Sequence, residues 1–488
     1  MSPNATVGAR FIYGRGKRVE VVTPSKVNSV TPSRRATISS PRQLAASYEA
    51  HSGPRKSNSA NISVVAPIRN IVSLFSGAMG LDLGLETSGF RTAVAVEINR
   101  YAVATLRLNR PKLPIIPRPI EHVSSRELLK EAGLLARDVC LVTAGPCCQS
   151  FSTVGSRESI ADPRGSLFRH FIRVVSEIKP RFFVMENVKG ILSAAVKHRP
   201  LNKRGPGNPP LEHDEELGSA LRVILKELGD LGYYVTYGLL NCADYGVPQN
   251  RLRVIFLGSR DGENITLPKT THSKQGENGF RPWISLREAI GGFDDPNPEY
   301  IEFTERRRKL LQMVRAGQNW SDLPTRFQKE ALGAAYKSWG GRTGFCRRLR
   351  WDKPAPTLTT SPVGRATTLC HPTRLRPLTT GEYATLQQFP SDWEFAGSDQ
   401  QKYIQIGNAV PVGLGEAIGQ SLQKTMKDTE QNGLPKGARK RRGLVVCSDP
   451  TLEKKLKNRP KTLLHPPRLL KTADPKRIRK WLTKAAGR

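Results

Sequence analysis

The chain has 488 residues and carries 77 Lys and Arg against 42 Asp and Glu, a formal net charge of +35. Hydrophobic residues make up 38% and no apolar run is long enough to span a bilayer, so the cation excess points to nucleic acid rather than a membrane. Seven scattered cysteines, no secretory apolar centre at the N-terminus and no zinc-like Cys/His spacing argue for a reducing, cytoplasmic setting without a disulfide framework or metal.

Residues 1–67 are rich in Ser, Thr, Pro and Arg and read as a disordered, basic N-terminal extension. The predicted globular part starts with a strand at 71–75. A turn with Ser76, Gly77 and Gly80 follows and enters a helix bearing Leu81, Leu83 and Leu85. Glycines there let a cofactor approach the backbone closely. A second strand, 92–96, ends in Glu97, about 20 residues after the first glycine, where nucleoside cofactors usually find a ribose-hydroxyl acceptor. A helix at 101–109, a short strand at 115–116 and a helix at 125–132 lead to a fourth, apolar strand at 139–143.

That fourth strand delivers Gly145-Pro146-Cys147-Cys148-Gln149-Ser150 at its carboxyl end, the edge where open α/β sheets place their chemistry. A thiol held there is a candidate nucleophile; a small buried cysteine is the plain alternative. The polar loop 153–164 is suited to closing over a substrate. After a helix at 166–178, the strand 182–188 is apolar until it sets Glu186 and Asn187 at the same edge. An exposed Pro-rich insertion (197–210), a helix (215–231) and a strand (234–240) follow. Gln249, Arg251 and Arg253 then alternate on one face of an extended segment entering a strand at 254–257. Arg251 could pair with a carboxylate or orient a base edge, or form a structural ion pair.

From 261 to 373 the strand–helix alternation stops and Gly, Pro, Arg and aromatic residues dominate. This reads as a smaller, irregular β-rich domain turning basic and hydroxyl side chains to a duplex. Residues 374–426 return to the first domain (68–260), with 403–411 expected to open a helix running to about 426. Residues 427–488 read as a basic, solvated tail with a short helix around Ile478, Trp481 and Leu482.

Taken in order, Phe75-Ser76-Gly77, Glu97, Pro146 with Cys148-Gln149, Glu186-Asn187-Val188, Gln249-x-Arg251-x-Arg253 and Gly407-Asn408-Ala409-Val410-Pro411 resemble the DNA (cytosine-5) methyltransferase family, bacterial restriction-modification type. The resemblance covers roughly residues 70–424. It implies an α/β, Rossmann-like fold dependent on S-adenosyl-L-methionine, with a target-recognition domain. The cofactor would lie across Phe75, Ser76, Gly77 and Gly80, with Glu97 on its ribose and Ile98, Pro146, Asn408, Ala409 and Val410 around it. Cys148 would add to cytosine C6, Glu186 would protonate N3, Arg251 would steady the base and Glu186, and Gln149 and Arg253 would assist.

Ser152, Gln249, Arg342, Arg347, Arg348 and Arg365 are the implied DNA contacts. Double-stranded DNA is the implied substrate, a cognate restriction endonuclease a candidate partner, and a monomer at the bacterial nucleoid the expected state. The chain departs from the family pattern at Cys147, where a second Pro is usual, at Met79 for Gly, at Pro119 for an acidic residue and at Thr385 for Arg. Competing readings are an RNA cytosine-5 methyltransferase, a DNA-binding regulator without catalysis and, remotely, a thiol-redox protein built on Cys147-Cys148.

Overall fold

The computed structural model describes residues 68–146, 167–200, 203–204, 208–337 and 342–457. Cys147, Cys148, Gln149, Ser152, the 153–164 loop and the short helix expected near Trp481 lie outside the described residues.

The apolar run Arg69–Leu74 forms β1, its last five residues buried. A tight turn leads to α1 (Gly80–Glu86), followed by β2 (Phe90–Val96). The Asn99 side chain then starts α2 (Arg100–Asn109) by accepting from the N–H groups of Tyr101 and Ala102. Next come β3 (Ile115–Ile116), then α3 (Ser125–Ala132), capped by Ser124 and closed by left-handed Gly133. β4 (Val139–Ala144), α4 (Leu167–Ile178), β5 (Phe182–Val188), α5 (Ser219–Asp230) and β6 (Tyr234–Asn241) complete the strand–helix series. The two-residue β7 (Gln249–Asn250) precedes β8 (Leu252–Ser259).

With a C-terminal strand, β12 (Val445–Cys447), eight strands join in the order β12-β6-β8-β5-β4-β1-β2-β3. β8 runs antiparallel to both β5 and β6, and every other pairing in the sheet is parallel. Both faces are covered. Phe183 and Met185 pack under α4 and α5 with Phe171, Val174 and Ile224, whereas Phe182 and Val184 meet α1 and the long helix α11 (Val412–Asn432) through Leu81, Leu85, Leu414 and Ile418. Burial on both sides explains why these strands read as continuous apolar runs. α1 and α11 touch through glycine: a Cβ on Gly84 would lie 2.1 Å from the Val412 carbonyl oxygen.

The 261–373 region is irregular, as expected, but it is not β-rich. Its strands β9 (His272–Ser273), β10 (Arg281–Pro282) and β11 (Ala355–Pro356) have two residues each, beside the helices α6 (Leu286–Ile290), α7 (Glu305–Gln312) and α8 (Thr325–Leu332). Local capping decides this. Ser285 and Glu288 form a reciprocal capping box at α6, and the Thr304 hydroxyl caps α7. Phe303, Leu311, Val314, Ala331, Cys346 and Cys370 belong to its small core, and β11 pairs with β7.

A second capping box, Thr379 with Glu382, opens α9 (Thr380–Leu386). The segment expected to open a helix at 403–411 instead closes one. α10 (Asp399–Asn408) ends there, and Pro411 precedes α11 (Val412–Asn432). Pro411 offers no N–H to continue α10 and biases Val410 toward extended backbone.

The basic C-terminus departs furthest from expectation. Its first part is built into the fold as α12 (Ala438–Arg441), β12 (Val445–Cys447) and α13 (Pro450–Lys457). β12 covers the outer edge of β6, pairing Val445 with Val235 and Cys447 with Tyr237, and Leu452 is buried in the same core. An open strand edge and a short β-branched run outweighed the charge around them.

Candidate active site

Three residues of the turn after β1 have left-handed backbone: Phe75 (φ 56°), Gly77 (φ 54°) and Met79 (φ 65°). Two of them bear side chains, and strain of this kind costs about 1–3 kcal/mol per residue unless the surroundings fix it. Here they do. Met79 is fully buried against the core of α9 and α10, and the backbone N–H of Gly77 donates to Glu97 Oε2 at 2.7 Å. Asn99 N–H donates to the other oxygen, Oε1, at 2.7 Å. Burial pushes the Glu97 carboxyl above its ordinary range, while the Asn99 and Gly77 amides pull it back.

A Cβ added to Gly77 would meet nothing within 4 Å, so space opens over the turn. Ile98, 64% exposed, stands beside it as a free apolar surface. A carboxylate, open backbone and an unburied aliphatic side chain suit a nucleoside. The turn is roofed from the far end of the chain, since a Cβ on Gly80 would lie 2.1 Å from the Val410 oxygen and 3.3 Å from the Ala409 Cβ. Asn408, next to them, is exposed.

Beneath the turn sits Asp82, a buried carboxylate that sequence reasoning missed although it interrupts Leu81-x-Leu83. The Ser73 hydroxyl donates to its Oδ2 (2.9 Å) and the Thr143 hydroxyl to its Oδ1 (3.1 Å), tying α1 to β1 and β4. Burial pushes this group up to about 7, against the Ser73 bond and with help from Glu86. A raised native value means that the folded state holds a proton the unfolded chain has lost. Stability attributable to Asp82 is therefore complete below about pH 4 and falls as the pH rises to 7, by up to roughly 4 kcal/mol. Asp82→Asn is expected to remove that fall. Urea denaturation at pH 5 and pH 8 checks it: an equal pH dependence in variant and parent would contradict the assignment.

At the carboxyl end of β5, Glu186 is 9% exposed. Its Oε1 accepts from Arg253 Nε at 2.5 Å. The two residues are diagonal neighbours, because Val188 pairs with Arg253 and Glu186 with Ile255 across the antiparallel β5–β8 ladder. Glu186 Oε2 would lie 3.6 Å from a Cβ at Gly145, so this oxygen looks onto the turn leaving β4 at Gly145 and Pro146. Asn187 Nδ2 donates to the Pro146 carbonyl at 3.4 Å and ties that turn to β5.

The steadying of Glu186 expected from Arg251 falls to Arg253. Arg251, 1% exposed, instead clamps backbone: Nη1 donates to Leu358 O (3.0 Å), and Nη2 to Gly407 O (2.9 Å) and Ala409 O (3.0 Å). Both arginines share a face, as the alternation predicted, but only Arg253 lies within the β5–β8 ladder. Gln249, expected on DNA, is fully buried; its Nε2 donates to Gln387 Oε1 (2.8 Å) and its Oε1 accepts from Leu358 N–H (3.0 Å). It joins Leu358, in the 261–373 region, to Gln387 of α9's C-terminal end.

Arg348 is likewise removed from the expected DNA contacts, buried at 8% exposure with Nη2 on the Leu311 carbonyl (2.9 Å). Arg342 lies over the Trp320 ring (4.9 Å) and donates to Tyr336 O, whereas Arg365 is exposed. Arg347 is half-buried with Nε on Thr368 O (3.2 Å), and burial pushes its guanidinium down to about 10.

The chain is 36% identical over 353 residues to Type II methyltransferase M.Sau96I of Staphylococcus aureus, covering 72% of this chain and 75% of that one. It is 38% identical over 366 residues to Type II methyltransferase M.PspPI of Psychrobacter sp., covering 73% and 80%. Among solved structures, a prophage-encoded DNA modification methyltransferase from E. coli shares the fold, with a TM-score of 0.50 at 22% identity over 74% of this chain and 99% of that one. The pattern of C-5 cytosine-specific DNA methylases matches residues 69–424, and the chain belongs to that family, whose members methylate C5 of cytosine in DNA with S-adenosylmethionine as donor.

Proposed function

We propose that the protein methylates one cytosine within a specific duplex sequence, with Cys148 as nucleophile and Glu186 as the acid at N3. The observation that carries this is Glu186 itself. One oxygen is locked by Arg253, and the other is turned toward the strand end that delivers Cys148. A stacked cytosine cannot reach this edge, so the base must leave the helix, with the 153–164 loop closing over it. Addition of the Cys148 thiolate to C6 breaks the C5–C6 double bond. Protonation of N3 by Glu186 directs the electron density to C5. Once C5 carries the methyl group, loss of its proton to a base re-forms the C5–C6 double bond and expels the thiolate, and N3 returns its proton to Glu186.

When bound, S-adenosylmethionine supplies an electrophilic methyl group. Glu97, the open backbone at Gly77 and exposed Ile98 would hold it, with Phe75, Ser76, Gly80, Pro146 and Asn408 to Val410 around it. Residues 68–260 and 374–426 would form the catalytic unit and 261–373 the sequence reader, using Arg342, Arg347 and Arg365 with Ser152. The Type II names of M.Sau96I and M.PspPI support a cognate restriction endonuclease as partner, with the methyltransferase acting as a monomer at the bacterial nucleoid. Bisulfite sequencing of DNA from cells expressing the protein tests the reading. A single protected motif is expected; methylation confined to tRNA would replace it with the RNA reading.

A further inference from the structure

β6 and β12 run in the same direction as β5, so the start of each strand lies at the pole opposite Glu186. Arginines gather at that pole. Arg69 opens β1, Arg181 precedes β5 and Arg260 follows β8, with the Arg260 N–H bonded to the Arg181 carbonyl (3.0 Å). All three act on one neighbour, the Cys140 thiol near the start of β4.

Beyond the family match, which ends at residue 424, the C-terminal strap adds Arg439, Lys440 and Arg441 to the same pole. The strap is fixed there. Gly443 N–H donates to Tyr233 O (3.0 Å), Arg441 stacks on the Tyr234 ring (4.8 Å), and a Cβ on Gly262 would lie 2.2 Å from Ala438 O. Carboxylates at this pole are Asp261, paired with Arg260 at 2.9 Å and with Arg442 at 3.6 Å, Glu263, paired with Arg181 at 2.6 Å and 1% exposed, Asp138 before β4, and Asp230 before β6, paired with Lys226 at 2.6 Å. Arg439 and Lys440 are exposed, with no carboxylate partner among the described residues.

From β1 to β12 the row crosses five strand spacings, about 24 Å. Along that length a duplex carries roughly 14 phosphates counted on both strands. Like charges held on rigid strand ends repel one another, and a polyanion lying across them relieves that repulsion. Glu186 lies five residues further along β5 than Arg181, about 17 Å away toward the opposite end of the strand, so a duplex engaged by the active site cannot also cover this row.

We infer that this pole is a second duplex-DNA contact, through which an enzyme engaged on its target holds another segment of the same DNA. The inference rests on DNA being the substrate. A long substrate supplies the second segment at high local concentration, so weak phosphate contacts suffice.

The test uses the full chain. A biotinylated target duplex on beads captures the protein, and retention of a second, fluorescent, non-target duplex is measured at about 50 mM salt. The parent is expected to retain it, and Arg439→Glu/Lys440→Glu to retain at least tenfold less, while both methylate a short target duplex at the same single-turnover rate. Equal retention by parent and variant, as would follow if residues 458–488 did the bridging, overturns the inference. So does failure of the parent to hold two duplexes, or retention of RNA in preference to the second duplex. Retention without methylation would leave the bridging intact and count against the catalytic reading instead.

Discussion

Cys148→Ala is expected to lower single-turnover methyl transfer by roughly ten-thousand-fold or more, the scale seen when a catalytic nucleophile is removed. Duplex binding should persist, because phosphate and groove contacts carry most of the affinity. The reason lies in the substrate: C5 of cytosine is a weak nucleophile until a group adds at C6, and a thiolate is the side chain suited to add there and leave again. Cys147 supplies the control. It is the neighbouring thiol in the sequence, so Cys147→Ala should retain activity if position 148 alone reaches the base. Rapid-quench assays with tritiated methyl donor decide it; near-parental turnover by Cys148→Ala would mean that another group attacks C6.

Much of this was legible in the sequence because the catalytic edge is built from short-range signals. The β1 turn, Glu97 at the end of β2 and Glu186 at the end of β5 each sit where an apolar run stops, and the sheet topology brings those ends together. What was not legible depends on partners distant along the chain. Arg251 and Arg253 are equivalent by periodicity, and only the β5–β8 register separates a carboxylate partner for one from the carbonyls of residues 358, 407 and 409 for the other. Gln249 looks like a groove-reading amide until Gln387, 138 residues away, takes its donor. The C-terminal strap was hidden for the opposite reason. Its three-residue strand is swamped by Lys and Arg, and its stability comes from an edge of β6 that the sequence does not advertise. The capping box of α6, by contrast, was plain in Ser285-x-x-Glu288 and marks a helix in a region read as β-rich, whereas Thr379-x-x-Glu382 opens α9 in the 374–426 segment.

Glu186→Gln is expected to slow the chemical step about 100-fold or more, the scale for losing a positioned acid, with thermal stability nearly unchanged. The amide oxygen of Gln can still accept from Arg253 Nε, so the β5–β8 ladder keeps its cross-strand contact while the proton for N3 is lost. Arg253→Ala should slow the same step, and the double variant should be little worse than the slower single one, because the two side chains act as one unit. Arg251→Ala is expected to behave differently. Its guanidinium bonds the carbonyls of Leu358, Gly407 and Ala409 in a buried site; Ala409 O keeps the Gln387 amide as a donor, whereas the Leu358 and Gly407 carbonyls lose theirs, at about 1–3 kcal/mol each. A lowered melting temperature should therefore accompany its loss of activity. Single-turnover rates and thermal melts on the same four variants separate these roles. Additive rate losses for Glu186 and Arg253 would dissolve the pair, and an Arg251→Ala protein as stable as the parent would return that arginine from the scaffold to the chemistry.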